Sequence, residues 1–170
     1  MKKLVVFCGI PGSGKTTIAS ALSVKLPRSA HIQTDMVRAM VHPQKYSAGE
    51  SRFVYSAVIA LGRTALISGY DAILDGTFLR EDFRREALDR LAHLSATHLV
   101  AHVVCGPELA LRRNAGREDA VPEDRVLRIY RNFEVPKGAV AIDTSQVGPE
   151  EAAEALLARL EQKNSTVRTS

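Results

Sequence analysis

With 170 residues, 45% of them apolar, the chain can build one substantial core and is too short for two comfortable domains. Its net charge of +4 is mildly basic, which suits a phosphate-rich ligand without requiring one. No apolar run approaches membrane-spanning length, and Cys8 and Cys105 have no second Cys or His at metal-ligand spacing, which argues against a transmembrane segment and a structural zinc site.

Leu4-Val5-Val6-Phe7-Cys8 reads as a buried strand that begins directly after Lys2 and Lys3. That start leaves no room for a signal peptide, so a cytoplasmic location is the default expectation. The strand runs straight into Gly9-Ile10-Pro11-Gly12-Ser13-Gly14-Lys15-Thr16, the pattern G-x-x-x-x-G-K-[ST]. Glycines are needed there because backbone N–H groups must converge on phosphate oxygens without Cβ atoms in the way. Lys15 supplies a charge to the outer phosphates, Thr16 a hydroxyl to magnesium, and the positive end of the following helix lies beneath. The expected ligands are therefore a nucleoside triphosphate and Mg2+. The nucleotide-binding set on the loop is Gly9, Pro11, Gly12, Ser13, Gly14, Lys15, Thr16 and Thr17.

Ile18, Leu22 and Leu26 give the next helix one apolar face, and Pro27 ends it. His31 to Thr34 reads as a short strand ending at Asp35, followed by a brief helix over Met36 to Val41 and a breaker at His42-Pro43. Gln44 to Gly49 is polar and reads as a loop. Phe53, Val54, Ala57, Val58, Leu61 and Ala65 follow helical spacing up to a stop at Gly69. Ala72-Ile73-Leu74 is then a buried strand ending at Asp75. Phe83, Ala87, Leu88, Leu91 and Leu94 form another helical stripe before a strand within Thr97 to Cys105. A helix after Pro107 enters an arginine-rich segment, a second starts at Pro122, Ala139 to Ile142 is the last strand, and Pro149 starts the last helix.

This alternation predicts an α/β, three-layer P-loop NTPase fold: a parallel sheet of about five strands with helices on both faces. One domain is expected over residues 1–163, with a lid at about 112–122 and a disordered tail at 164–170. The ligand crevice of such a sheet lies at the carboxyl ends of its strands, which directs attention to the residues just after each one.

Asp35 and Arg38 stand three apart after the second strand and share a helical face. A hydroxyl acceptor needs a carboxylate to take its proton, and charge on a transferring phosphoryl group needs cationic donors. The competing reading is a helix-capping Asp beside a surface Arg. Asp75 either binds magnesium, orders the Thr16 region, or simply forms a turn before Gly76. The segment Leu111 to Arg117 puts Arg113 and Arg117 four apart on one helical face, that of a lid that can close on the triphosphate. A solvated basic face is the alternative. Asp143-Thr144-Ser145 either contacts the base or forms an Asx turn. Histidines 31, 42, 93, 98 and 102 show no nucleophile or metal pairing.

Four motifs together resemble the phage and bacterial 5′-hydroxyl polynucleotide kinases and their small phosphate-loop kinase relatives. They are the loop from Gly9 to Thr16, Asp35-x-x-Arg38, Asp75-x-Thr77, and Arg113-Asn114-x-x-Arg117 ahead of Val121-Pro122, and the similarity spans about residues 3 to 135. The resemblance implies that Lys15 and Thr16 hold ATP and magnesium, and that Asp35 is the general base. It implies that Arg38 binds an acceptor-side phosphate, Arg117 clamps the transferring phosphate, Arg113 lies near the nucleotide, and the Asp75 to Thr77 element supports the site. The expected function is ATP-dependent phosphoryl transfer to an alcohol, with a nucleic acid 5′ end as the implied acceptor. Two alternatives stay open. One is a small-molecule kinase whose acceptor pocket is built from Gln44 to Arg52 and the helix that follows, and the other is a non-catalytic ATP-binding regulator.

Overall fold

The computed structural model describes residues 2–44, 47–95 and 97–167, with side chains up to residue 163. Five parallel strands, β1 (Lys3–Cys8), β2 (Ser29–Gln33), β3 (Asp71–Asp75), β4 (Thr97–Val104) and β5 (Val140–Asp143), lie in the order β2-β3-β1-β4-β5. The central strands β1 and β3 are covered on both sides, which is why Leu4 to Cys8 and Ala72 to Leu74 are continuous apolar runs. The edge strand β2 is half-buried throughout.

Helices α1 (Lys15–Lys25) and α7 (Pro149–Val167) cover one face, where Val5, Phe7 and Ile73 meet Ile18, Leu22, Leu156 and Leu160. Helices α2 (Thr34–Ala39), α3 (Ala48–Ile67) and α4 (Glu81–Leu91) cover the other, where Val6 and Leu74 meet Val54, Val58, Leu66 and Leu91. Each fully buried Leu or Phe contributes roughly 2 kcal/mol of transfer free energy. Helices α5 (Pro107–Ala115) and α6 (Glu123–Arg131) close the carboxyl end of the sheet over a small cluster containing Ile10, Cys105 and Ala110.

Several boundaries differ from the sequence expectation for identifiable reasons. Strand β2 stops at Gln33, so Asp35 lies within the first turn of α2, not at a strand terminus. Part of the expected loop before Gly49 is helix: α3 starts at Ala48 because the Ser47 hydroxyl caps it, accepting the Glu50 amide at 3.1 Å. Residues 45 and 46 of that loop lie outside the described residues. Phe53 and Leu61 are 58% and 48% exposed, and they leave the core because Val54, Tyr55, Val58 and Ile59 take the sheet-facing side of α3. At the other end, α7 continues to Val167, four residues into the segment expected to be disordered, since nothing between Lys163 and Val167 is Gly or Pro. Residues 168–170 lie outside the described residues.

Candidate active site

The loop after β1 turns at Gly12, whose φ of +80° and position over the Ala110 carbonyl leave no space for a Cβ. Gly14, at φ +96°, is the N-cap of α1, so the amides at the start of that helix point into the crevice. Lys15 is buried, and its Nζ donates to the Ile10 carbonyl at 2.8 Å, which closes the loop into a ring. Burial pushes the Lys15 ammonium below its ordinary value, while the nearby Asp75 and Asp35 carboxylates oppose that shift. The buried Ser13 hydroxyl in the same loop has no hydrogen-bond partner. These are the donors that phosphate oxygens satisfy.

Asp75 ends β3 in register with Phe7 of β1, which sets it beside the base of the loop. Its carboxylate is 3% exposed, and Oδ2 meets His31 Nε2 of β2 at 3.0 Å. Asp75, Lys15 and Thr16 line one cleft. A hydroxyl and a carboxylate are hard oxygen donors suited to magnesium, which takes its other ligands from phosphate and water. The donor set therefore fits the metal that the loop motif implies. Among the described residues no group of three or more His, Cys, Asp and Glu is placed to cage a metal unaided.

On the acceptor side, Asp35 and Arg38 both reach the same cleft from α2. Arg38 is bonded to Glu50 of α3, a buried carboxylate that anchors its guanidinium. Arg117 comes from the opposite wall: it makes two bonds to Asp119, at 2.8 and 2.7 Å, and lies 3.6 Å from Asp35. Tyr55 of α3 contributes to the wall, stacked on Phe83 at 4.2 Å, with its hydroxyl accepting the Phe78 amide at 3.0 Å. Burial pushes that phenol up to about 12, so it stays protonated. The cleft, its phosphate-loop end included, is about 200 Å3, and charges of both signs line it.

Arg113 and Arg117 do not share a helical face. Helix α5 ends at Ala115, with Gly116 at its C-cap, and the chain turns before Arg117. Arg113 instead reaches the opposite flank of the loop, where Nη1 donates to Thr144 Oγ1 at 2.7 Å and Nη2 to the Thr144 carbonyl at 3.1 Å. Thr144 Oγ1 in turn donates to the Ser13 carbonyl at 2.9 Å, so Arg113 is tied to the phosphate loop. The neighbouring Asp143 accepts the Ser145 amide at 2.9 Å, which is the Asx turn. Asn114, also on α5, is buried and exchanges two bonds with the backbone of Val121, clasping the lid segment between them.

Sequence reasoning gives no role to His31, Asn114 or Asp119, and it places Glu50 and Tyr55 only within the Gln44 to Arg52 segment and the helix that follows, without singling them out. Only Asn114 carries a local signal, because it lies within the Arg-Asn-x-x-Arg pattern. His31, Glu50 and Tyr55 act through partners that the tertiary fold brings to them, and Asp119 acts through Arg117, two residues before it.

Residues 4–136 match the model of an AAA domain. The chain belongs to this AAA-domain family. Among curated proteins, the AAA-domain chain is 24% identical over 148 residues to an L-seryl-tRNA(Sec) kinase of Methanococcus maripaludis; the match covers 85% of the chain but only 57% of that relative's length. Its fold is similar to the APS kinase CysC of Mycobacterium tuberculosis, solved with AMPPNP and APS, at a TM-score of 0.78 and 18% identity over 94% of this chain and 98% of that one. A gluconokinase from Sinorhizobium meliloti gives 0.76 and 16% over 98% and 96%. The AAA-domain chain thus has the α/β fold of the phosphate-loop kinases, with a parallel five-stranded sheet.

Proposed function

We propose that this chain is an ATP- and magnesium-dependent phosphotransferase that moves the γ-phosphoryl group to the hydroxyl of a small acceptor held beside Asp35 and Arg38. The observation that carries this reading is the convergence of Lys15, Asp35, Asp75 and Arg117 on one cleft at the carboxyl ends of the strands. In the reaction the acceptor oxygen attacks the γ-phosphorus, the bond to the β-phosphate oxygen breaks, ADP leaves, and the acceptor proton passes to Asp35. Lys15 and Arg117 hold the charge that spreads over the transferring oxygens. Arg38 orients the acceptor, and Arg113 secures the nucleotide side of the loop through Thr144. Thr16 and Asp75 would hold magnesium, which neutralises charge on the β- and γ-phosphates.

The mixture of acids and bases that lines the cleft supports a small alcohol over a uniformly basic polyanion channel. The 5′-hydroxyl of a polynucleotide is the second reading. It draws on the Asp35–Arg38 pair.

Asp35→Ala tests the assigned chemistry. Loss of the base is expected to lower turnover by roughly 10²- to 10⁴-fold while ATP affinity, read by calorimetry, changes no more than severalfold. Wild-type turnover in the variant would remove Asp35 from the mechanism.

A further inference from the structure

The strand pairing that delivers Asp75 to the cleft also delivers His31 to Asp75. In the β2–β3 register His31 lies opposite Ile73 and Gln33 opposite Asp75. Alternate residues share a face, so His31, Gln33, Ile73 and Asp75 all project to the α1 and α7 side. His31 reaches along this face, one diagonal step, to the Asp75 carboxylate. Asp75 lines the cleft and His31 does not, so the imidazole stands behind the carboxylate.

A carboxylate with no anchor rotates broadly about its last torsion, and one buried to this depth is expensive without a partner. A ring nitrogen bonded to Oδ2 fixes the carboxylate plane and leaves Oδ1 outside that bond. We infer that His31 is a positioning residue for the magnesium that accompanies the nucleotide, acting through Asp75 on the strand beside it. This rests on the reading of Asp75 as the metal-side carboxylate, a role that Asp75→Asn tests by itself.

The experiment compares ADP affinity in magnesium and in EDTA by calorimetry, with thermal unfolding measured alongside. The proteins are wild type, His31→Ala, His31→Gln, Asp75→Asn and the double variant His31→Ala/Asp75→Asn. His31→Ala is expected to lower the magnesium-dependent gain in ADP affinity by about tenfold or more while leaving affinity in EDTA within about threefold. His31→Gln, whose amide can still donate to Oδ2, restores most of that gain. The double variant matches Asp75→Asn, because His31 has no route to the metal except through the carboxylate. If His31→Ala does not fold, His31→Leu keeps the packing volume without the donor and takes its place. Should Asp75→Asn keep the full magnesium gain, the metal reading of Asp75 fails. Should Asp75→Asn lose it while His31→Ala keeps it and only melts earlier, His31 is a folding residue alone and the inference is overturned.

Discussion

At the scale of single residues, burial decides which groups are chemically active. Cys8 lies directly before the phosphate loop, yet burial pushes its thiol up to about 12, and Cys105 is raised for the same reason. A raised thiol pKa means less thiolate at any working pH, and for Cys8 at pH 8 the fraction is roughly one in ten thousand. Iodoacetamide at pH 8 should therefore leave Cys8 unmodified in the folded protein and label both cysteines after denaturation. Rapid labelling of native Cys8, read by peptide mass, would mean that the junction of β1 and the loop opens. The residues of the loop itself were legible because their spacing is contiguous and each one's role follows from its own chemistry. Glu50 and His31 were not legible, because each matters only through a guanidinium or carboxylate on a different element; Asp119 matters through Arg117, two residues before it in the same loop.

At the scale of elements, the segment after β3 shows how a site loop is held. Phe78 sits at φ +39°, an unfavourable conformation for a large side chain, and Tyr55 binds its amide while Arg84 binds its carbonyl at 2.5 Å. Arg84 is fully buried and also bonds the Glu134 carbonyl at 2.6 Å and Glu81 at 2.7 Å, which joins α4 to the chain beyond α6. Arg84→Ala leaves these carbonyls without their donor. We expect it to destabilise the fold by about 2–4 kcal/mol, measured by urea unfolding, and a change within error of zero would contradict this account of the turn. Helix α4 was legible as an apolar stripe, but a buried arginine at position 84 has no periodic signature. In α3 apolar residues occur on every side, so spacing alone did not separate the core residue Val58 from the exposed Phe53. The parting of Arg113 and Arg117 had a signal that spacing overrode: Gly116 lies between them, where a helix ends.

At the scale of the whole molecule, the strand order places β1 between β3 and β4, so the phosphate loop, Asp75 and the turn after β5 meet at one end of the sheet. That architecture was legible because strands covered on both sides read as unbroken apolar runs and helices between them as amphipathic stripes. The order of the strands and the size of the acceptor cleft were not, since both depend on how crossovers pack. Transfer of labelled γ-phosphate from ATP, offered a panel of sugars and nucleosides alongside 5′-hydroxyl oligonucleotides at low and high salt, tests the central claim most directly. The account predicts that a small alcohol accepts phosphate, that added salt changes the rate little, and that Asp35→Ala abolishes it. Phosphorylation of oligonucleotides alone, falling steeply with salt as counterion release requires, would contradict the small-acceptor assignment, and transfer to no acceptor at all by an ATP-bound protein would contradict the kinase reading itself.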